Sequence, residues 1–316
     1  MKCLIVVKNV LFVNEYENHI KSIVEEYADV EVADIVGMYS NQEKYSEDYS
    51  AIITLAGDGT ILKVLSICTD KGAGFASADY IEQAEQKRFP MYAKKCRKPK
   101  KGVQTDTVLP LLFAFDNSTK GRLCNIKKPL YEQAERLLSR LLEAHTRKDT
   151  EALRLLYAEN AIRRRRLSVN GLVDALNEVY IYPREKGLLG GLTVSINGGA
   201  VYQNFRCDGV IISTATGSSG YNASAGGPIL YGSVHGITMT FVCASDKKVS
   251  PVVLSSSCTV SIANALDGKN VHAVVDGCLF LENAVFVVKT QKQGAVYFAD
   301  LGNKKYFADF LSAIQE

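Results

Sequence analysis

Residues 51–60 read Ala51-Ile52-Ile53-Thr54-Leu55-Ala56-Gly57-Asp58-Gly59-Thr60. A short apolar run that leads into a glycine turn and then into a helical pattern predicts a buried strand, a tight loop and a helix beginning at Thr60. The helix is indicated by apolar residues that fall on one face, namely Ile61, Leu62, Val64, Leu65 and Cys68. Strand, turn and helix in this order predict an α/β layer.

The same alternation extends over residues 1–122. Further strands are predicted at 3–8, 30–36 and 109–115, and apolar residues at helical spacing fill the gap between the first two. These elements predict a Rossmann-like domain with a largely parallel sheet. Two helical stretches follow within residues 129–162.

The character of the sequence changes at about residue 165. Runs rich in Val, Ile, Thr and Tyr, broken by Gly, Asn and Asp, predict an all-β domain, with strands at 176–182, 192–196, 209–214, 237–243, 258–263, 271–275 and 284–290. A last helix over 303–314 is expected to return to the first domain. The predicted organisation is therefore an α/β domain of residues 1–125 plus 296–316, a helical connection over 126–164 and an all-β domain over 165–295.

Composition excludes several classes of protein. Lys and Arg number 37 against 34 Asp and Glu, so the net charge of +3 gives no general argument for a nucleic-acid or membrane partner. No apolar run is long enough to span a bilayer. The eight cysteines contain no C-x-x-C pair, which favours reduced thiols and a cytoplasmic location.

A basic segment interrupts the first domain. Residues 87–101 hold eight Lys or Arg, two Pro and no acid, which predicts a long surface insertion at about 80–108. Nucleic-acid binding and a solvated loop are the two interpretations. The solvated loop is favoured because no aromatic residues at a binding spacing accompany the charges.

Gly57, Asp58, Gly59 and Thr60 are the first candidate site. Glycines let a phosphate approach backbone N–H groups closely, and a helix N-terminus favours its negative charge. A carboxylate placed there can take a proton from an attacking hydroxyl. A plain turn is the alternative interpretation.

Other signatures of chemistry are lacking in the sequence. The only Gly-Lys pair, at 268–269, lacks the remaining residues of a P-loop, and Leu62 stands where a dinucleotide fingerprint needs its third glycine. A serine hydrolase elbow fails at Tyr221. The four histidines are in no zinc-binding pattern, so no metal held by the protein alone is expected.

The second candidate site is a long run of small hydroxyl residues and glycines after a predicted strand. It comprises Asp208-Gly209-Val210-Ile211-Ile212-Ser213-Thr214-Ala215-Thr216-Gly217-Ser218-Ser219-Gly220-Tyr221 and continues to Ser224-Ala225-Gly226-Gly227-Pro228. Such a run offers closely spaced donors to a polar ligand, with the tyrosine as an amphipathic wall.

These two motifs, in this order and spacing, resemble the NAD kinase family. Ala175 to Val179 resembles the family's Asn-Glu motif, and Val275-Asp276-Gly277 resembles its later Asp-Gly turn. The resemblance implies an N-terminal α/β domain, a C-terminal β domain, NAD held between domains and subunits, and a homodimer or homotetramer. It also implies ATP as donor and Mg²⁺ that arrives with the nucleotide.

The resemblance also implies roles for individual residues. Asp58 activates the adenosine ribose 2′-hydroxyl of NAD against the γ-phosphate of ATP. Gly57, Gly59 and Thr60 accompany it in the nucleotide-binding turn. The remaining residues implied at the NAD site are Asn177, Glu178, Asp208, Thr216, Ser219, Gly220 and Tyr221, with Arg122 and Asp276 as further candidates. The basic stretch Arg163 to Arg166 either helps to hold phosphates or forms a solvated face.

Several positions depart from the family pattern, among them five whose effect stays open. These five are Ala56, Arg122, Ala215, Ala244 and Ser250, and they bear on substrate preference and nucleotide affinity. The choice between NAD and NADH, and between ATP and polyphosphate, stays open. Two alternative functions are a lipid kinase of the diacylglycerol or sphingoid type, which shares the Gly57 to Thr60 motif, and a non-catalytic NAD-binding regulator.

Overall fold

A computed structural model describes residues 1–11, 13–40, 44–46, 49–69, 111–115, 123, 126–183, 191–246, 249–266, 269–291 and 295–301. The described residues form two compact units. The first takes those within Met1–Thr69, Asp106–Arg163 and Val296–Glu316, and the second takes those within Arg164–Ala295. The predicted insertion at 80–108 and the predicted helix at 303–314 lie outside the described residues.

The first unit is built on a six-stranded sheet in the order β2-β1-β3-β4-β18-β5. Its strands are β1 (Lys2–Val7), β2 (Asp29–Ala33), β3 (Ala51–Leu55), β4 (Leu111–Phe115), β5 (Ala161–Arg164) and β18 (Val296–Ala299). The pairs β1-β2, β1-β3, β3-β4 and β4-β18 are parallel. The chain therefore returns to the first unit through β18, beside β4.

Five helices accompany this sheet in the described part of the first unit. They are α1 (Glu15–Glu25), α2 (Ile35–Ser40), α3 (Asp58–Thr69), α4 (Tyr131–Thr146) and α5 (Thr150–Asn160). One core cluster joins apolar residues of α1 and α4 to alternate residues of β1 and β3. The intervening strand residues are buried as well, as expected for a parallel sheet that is covered on both faces.

The second unit is an antiparallel sandwich of two six-stranded sheets, in the orders β10-β9-β14-β17-β6-β7 and β13-β12-β11-β8-β15-β16. The first contains β6 (Leu167–Val169), β7 (Val173–Ala175), β9 (Gly191–Ile196), β10 (Gly199–Arg206), β14 (Thr259–Asn264) and β17 (Val285–Thr290). The second contains β8 (Glu178–Pro183), β11 (Gly209–Thr214), β12 (Gly236–Val242), β13 (Val252–Ser255), β15 (Val271–Val275) and β16 (Leu279–Asn283).

Alternate residues of both sheets meet in one core. Leu192, Val194, Val260 and Ile262 contribute from one sheet, and Val179, Ile181, Val210, Ile212 and Met239 contribute from the other. The apolar residues that recur at every second position in the sequence are thus the ones whose side chains are buried in this core. A short helix, α6 (Tyr221–Ser224), follows β11.

The predicted fold class is confirmed. Several boundaries differ from the prediction. The helix expected at Thr60 begins at Asp58, because Gly57 supplies the first helical carbonyl. Residues 30–36 divide into the end of β2 and the start of α2, and β5, β6, β7, β10, β13, β16 and β18 were not predicted. The strand β10 escapes sequence patterning because most of its residues are exposed and it lies at a sheet edge.

Candidate functional site

The Gly57 to Thr60 segment lies at the carboxyl end of β3. The Gly57 carbonyl accepts hydrogen bonds from the Thr60 N–H at 3.0 Å and the Ile61 N–H at 3.4 Å, which starts α3. Because the strand order is β2-β1-β3-β4, the connections change direction between β1 and β3. Ligands of open α/β sheets bind outside the carboxyl ends of the strands at such a point.

Asp58 is the first residue of α3 and is partly buried. Its Oδ1 accepts a hydrogen bond of 2.8 Å from the Leu123 N–H, which fixes the direction of the carboxylate. Gly59 is exposed, and a Cβ built on it would meet no atom of the described chain within 4 Å. The backbone at Gly59 is therefore open to an approaching group.

In the second unit, a bend at Leu176 and Asn177 leads into β8, whose first residue is Glu178; residues 176–178 are referred to as the Asn177-Glu178 turn. The backbone N–H groups of this turn are hydrogen-bonded to Asp276. Its carboxylate accepts from the Leu176 N–H at 2.7 Å, the Asn177 N–H at 2.7 Å and the Glu178 N–H at 3.1 Å. The turn is thus fixed from a hairpin about a hundred positions later in the sequence.

The carbonyl side of the same turn is held by the end of β11. The Thr214 hydroxyl donates to the Leu176 carbonyl at 2.6 Å, and the Ser213 hydroxyl donates to the Asn177 carbonyl at 3.1 Å. The Thr214 N–H also donates to the Asn177 carbonyl at 2.9 Å. With its backbone groups satisfied, the turn presents the Asn177 and Glu178 side chains in a fixed direction.

The hydroxyl-rich loop packs directly on this turn. A Cβ on Gly217 would lie 2.2 Å from the Asn177 carbonyl oxygen, so only glycine fits there. A Cβ on Gly220 would lie 3.4 Å from Glu178 Oε2. Thr216 and Ser219 flank Gly217 and Gly220 in the same tight turn, and both are partly exposed. The loop therefore forms one surface with Asn177 and Glu178.

Tyr221 and Asp208 lie beside a shared neighbour, Tyr180 of β8. The Tyr180 ring meets the Tyr221 ring edge-on with centroids 5.5 Å apart, and it stacks on Tyr182 at 5.1 Å. The Tyr180 hydroxyl donates to the Asp208 carbonyl at 3.0 Å. Tyr221 and Asp208 are both exposed, so an aromatic face and a carboxylate are available to a ligand.

Two buried oxygens of the Asn177-Glu178 pair have no hydrogen-bond partner among the described residues. They are Asn177 Oδ1 and Glu178 Oε2. Burying an unpaired polar atom costs free energy, so a group that forms a hydrogen bond with either oxygen would be stabilising. A polar ligand that can form hydrogen bonds with both side chains fits this pair.

Glu178 and Asp276 are a close pair of buried carboxyl groups. Burial, with the nearby Asp276 charge as a second cause, raises the pKa of Glu178 to about 8. Burial also raises the pKa of Asp276 to about 6, although its three backbone hydrogen bonds act in the opposite direction. Glu178 is therefore the carboxyl group that stays protonated near neutral pH.

Sequence reasoning missed the residues that shape the loop from within. Asn222 is fully buried, and its amide group donates to the Ser218 and Pro228 carbonyls at 2.8 and 3.0 Å. Its Oδ1 accepts from the Thr238 and Thr240 hydroxyls. The only signal in the sequence was the abundance of small polar residues, which does not say which of them face inward.

The arginine run has another structural role at one position. Arg166 is 5% exposed, and its Nη2 lies 3.1 Å from Asp174 Oδ2. Arg166 is therefore not part of a solvated face. Arg165 contacts the Ser256 hydroxyl at 3.2 Å.

The structure places the predicted site residues in two groups. Asn177, Glu178, Thr216, Ser219, Gly220 and Asp276 lie around one turn of the second unit, with Tyr221 and Asp208 around Tyr180. Asp58, Gly57, Gly59 and Thr60 lie together in the first unit. Arg122 is outside the described residues.

Among the residues that the structure describes, no group of three or more His, Cys, Asp or Glu could hold a metal ion. No helix in the described part of the chain is both long and apolar enough to cross a membrane.

Comparison with known proteins gives consistent results. The ATP-NAD kinase C-terminal domain family matches residues 176–287. The NAD kinase of Lachnoclostridium phytofermentans is 36% identical over 128 residues, which cover 38% of this chain and 45% of that protein. This matched stretch therefore spans less than half of that relative's length. The NAD kinase of Clostridium tetani is 22% identical over 91% of this chain and 92% of its own length.

Two solved structures have the same fold. An NAD kinase from Archaeoglobus fulgidus in complex with ATP aligns with a TM-score of 0.66 and 19% identity, over 100% of this chain and 99% of that chain. Yeast NADH kinase complexed with NADH aligns with a TM-score of 0.65 and 17% identity, over 100% of this chain and 88% of that chain. At these identities the alignments establish the fold of both units.

Proposed function

We propose that this chain, which is similar to NAD kinases, transfers the γ-phosphate of ATP to the 2′-hydroxyl of the adenosine ribose of NAD, giving NADP and ADP. One observation carries the proposal. Within the matched residues 176–287, a turn held by backbone hydrogen bonds carries two buried side-chain oxygens, on Asn177 and Glu178, that have no hydrogen-bond partner among the described residues. Ribose hydroxyls and amide groups of a dinucleotide can donate to and accept from such atoms.

In the proposed reaction Asp58 is the general base. It takes the proton of the 2′-hydroxyl while that oxygen forms a bond to the γ-phosphorus, and the bond from the γ-phosphorus to the β-γ bridging oxygen breaks as ADP leaves. The hydrogen bond from the Leu123 N–H keeps the carboxylate in one orientation before the proton moves. The N-terminus of α3 favours negative charge next to it, so phosphates are stabilised at this turn.

The residues of the second unit bind and orient NAD in this proposal. Asn177 and Glu178 contact polar groups of the dinucleotide, Tyr221 offers its ring to a base, and Asp208 accepts from an amino group. Thr216, Ser219 and Gly220 line the same surface. Because phosphoryl transfer depends mainly on positioning and electrostatic stabilisation, this division between a base and a rigid binding turn suits the reaction.

Mg²⁺ enters as the complex with ATP, where it neutralises charge on the phosphates. The proposal also includes a cytoplasmic homodimer or homotetramer. The described cysteines, which are free thiols, suit a reducing compartment, and light scattering of the purified protein gives the oligomeric state.

The test is an assay of purified protein with NAD, ATP and Mg²⁺, in which an NADP-specific dehydrogenase reports the product. NADP formation by the wild type and its loss in Asp58→Asn are the expected results. NADH and polyphosphate in place of NAD and ATP define the preferred acceptor and donor.

Two outcomes contradict the proposal. If the wild type makes no NADP but NAD raises its melting temperature, the chain is a binding protein, and a regulatory role replaces the catalytic one. If neither effect is seen, diacylglycerol and sphingoid bases are the next substrates to assay.

A further inference from the structure

Asp276 has an unusual place in the fold. It occupies a tight turn between β15 and β16, with φ of 49° at Asp276 and 68° at Gly277, and the Cys278 N–H donates to the Val275 carbonyl at 3.0 Å. Two successive positive φ values define a type I′ hairpin turn. The strand β15 pairs with β8, and the Asp276 N–H donates to the Glu178 carbonyl at 2.9 Å. The hairpin thus holds Asp276 beside the start of β8.

The Asp276 carboxylate is committed to the backbone. It is 9% exposed, and it accepts three N–H groups in a row, those of Leu176, Asn177 and Glu178. Hydrogen bonds from backbone N–H groups to a charged carboxylate are stronger than bonds between neutral groups. A group used in this way has little capacity left for a ligand, so its effect on the site passes through the turn.

The charges around Glu178 favour its neutral form. Asp276 faces it from the β15-β16 hairpin, with Arg166 close enough to Asp276 to favour the Asp276 anion, and Tyr221 faces it from the loop. Three donors stabilise the negative charge on Asp276, whereas Glu178 Oε2 has no partner among the described residues. When only one of two adjacent buried carboxyl groups ionises, the one with donors does so.

We infer that Asp276 is a positioning residue for the NAD site, because the hydrogen bonds that its carboxylate accepts fix the backbone of Leu176 to Glu178. Burial and, as the second cause, the charge of Asp276 favour the neutral form of Glu178, which can donate a hydrogen bond. This inference rests on the proposed function and deepens it, because it gives the Asn177-Glu178 pair both acceptors and a donor. It predicts that the site prefers a ligand oxygen opposite the Glu178 carboxyl group.

The test compares Asp276→Asn with two controls. Gly277→Ala strains the same hairpin turn at a positive φ but leaves the carboxylate in place. Glu17→Gln removes another buried carboxylate, one in the first unit that accepts from the Asn14 N–H instead. KM for NAD, kcat and melting temperature are measured for each variant from pH 6 to pH 9, with Glu178→Gln as the reference without a titrating group.

In the wild type, KM for NAD is expected to rise as pH increases through the pKa of Glu178, which is about 8. Asp276→Asn removes the neighbouring charge, so the midpoint of this rise moves to lower pH, and KM at neutral pH increases by about tenfold as N–H partners are lost. Glu178→Gln shows no such rise. Gly277→Ala and Glu17→Gln lower the melting temperature but keep the wild-type midpoint.

The inference is wrong if Asp276→Asn lowers the melting temperature and leaves both KM and its pH midpoint at the values of the two controls. If Asp276→Asn does not fold, the carboxyl ¹³C shifts of the wild type decide the matter. Glu178 titrating at higher pH than Asp276, with slow amide exchange at residues 176–178, supports the inference, and the reverse order overturns it. The ¹³C shifts and the amide exchange can be measured on a protein without activity. A chain that makes no NADP would therefore refute the proposed function without deciding the inference about Asp276.

Discussion

The turn at Asp58 and the turn at Asn177-Glu178 are shaped in different ways. The first consists of consecutive residues between a strand and a helix, and the Gly57 carbonyl starts the helix two residues before the expected position. In the second turn, the backbone N–H groups donate to the Asp276 carboxylate, and the backbone carbonyls accept from the Ser213 and Thr214 hydroxyls. The position of Asp58 therefore follows from neighbouring residues in the sequence. The positions of Asn177 and Glu178 depend on which strands of the sandwich lie next to each other.

The largest expected effect separates the roles of the two turns. Asp58→Asn is expected to lower kcat by about 10²-fold or more with little change in KM for NAD, because a general base acts only in the transition state. Asn177→Ala is expected to raise KM for NAD by about tenfold with a smaller change in kcat, since it removes a binding contact. Steady-state kinetics of both variants test the split, and a pure KM effect in Asp58→Asn would count against the base.

The surroundings of the two turns should also differ in their tolerance of a single methyl group, because Gly59 belongs to the first turn and Gly217 packs against the second. In Gly217→Ala the new Cβ would lie 2.2 Å from the Asn177 carbonyl oxygen, so the free energy of unfolding should fall by about 1–3 kcal/mol. In Gly59→Ala the Cβ meets nothing within 4 Å, and alanine favours the helix by up to about 1 kcal/mol. Denaturant unfolding measures both changes, and equal destabilisation of the two variants would refute the contrast.

The carboxyl pair predicts how stability changes with pH. Glu178 has its pKa raised from 4.5 to about 8 in the folded chain, so the folded state binds this proton more tightly than the unfolded state. The free energy of unfolding should therefore fall as pH rises from about 4.5 to about 8, with a slope of at most about 1.4 kcal/mol per pH unit from this group.

Glu178→Gln removes that dependence because an amide does not titrate. Its stability relative to the wild type should increase with pH across the same window, as measured by thermal unfolding without NAD. The exposed Glu151, with a side chain 70% exposed, provides the matched control in Glu151→Gln. A difference between wild type and Glu178→Gln that is constant with pH would show that Glu178 keeps an ordinary pKa.

The smallest expected effect concerns Tyr180. Tyr180→Phe removes only the hydroxyl that donates to the Asp208 carbonyl, so the free energy of unfolding should fall by about 1 kcal/mol and KM for NAD should change only a few-fold. Tyr180→Leu also removes the contacts with Tyr182 and Tyr221 and should have the larger effect. Equal effects of the two variants would mean that the ring does not support Tyr221.

The strands with alternating apolar residues were predictable to within about two residues because neighbours in the sequence determine a period of two. The strand β10 was not, since an exposed edge strand has no buried face to leave a pattern. The hydroxyl-rich loop was recognisable as a site from its composition. The buried Asn222, which hydrogen-bonds several groups inside this loop, was not recognisable, because the sequence does not show which small polar residue is buried.

The sequence by itself determined the two fold classes, the order of the motifs and the resemblance to a family, because periodicity and motif spacing are properties of contiguous residues. Only the tertiary structure decided that Asp276 binds the backbone of the Asn177-Glu178 turn and that Arg166 is buried against Asp174. These contacts join segments that lie far apart in the sequence, as in the hydrogen bond between Asp276 and Leu176. Burial and hydrogen bonding at such positions depend on which strands become neighbours, and local residue patterns do not carry that information.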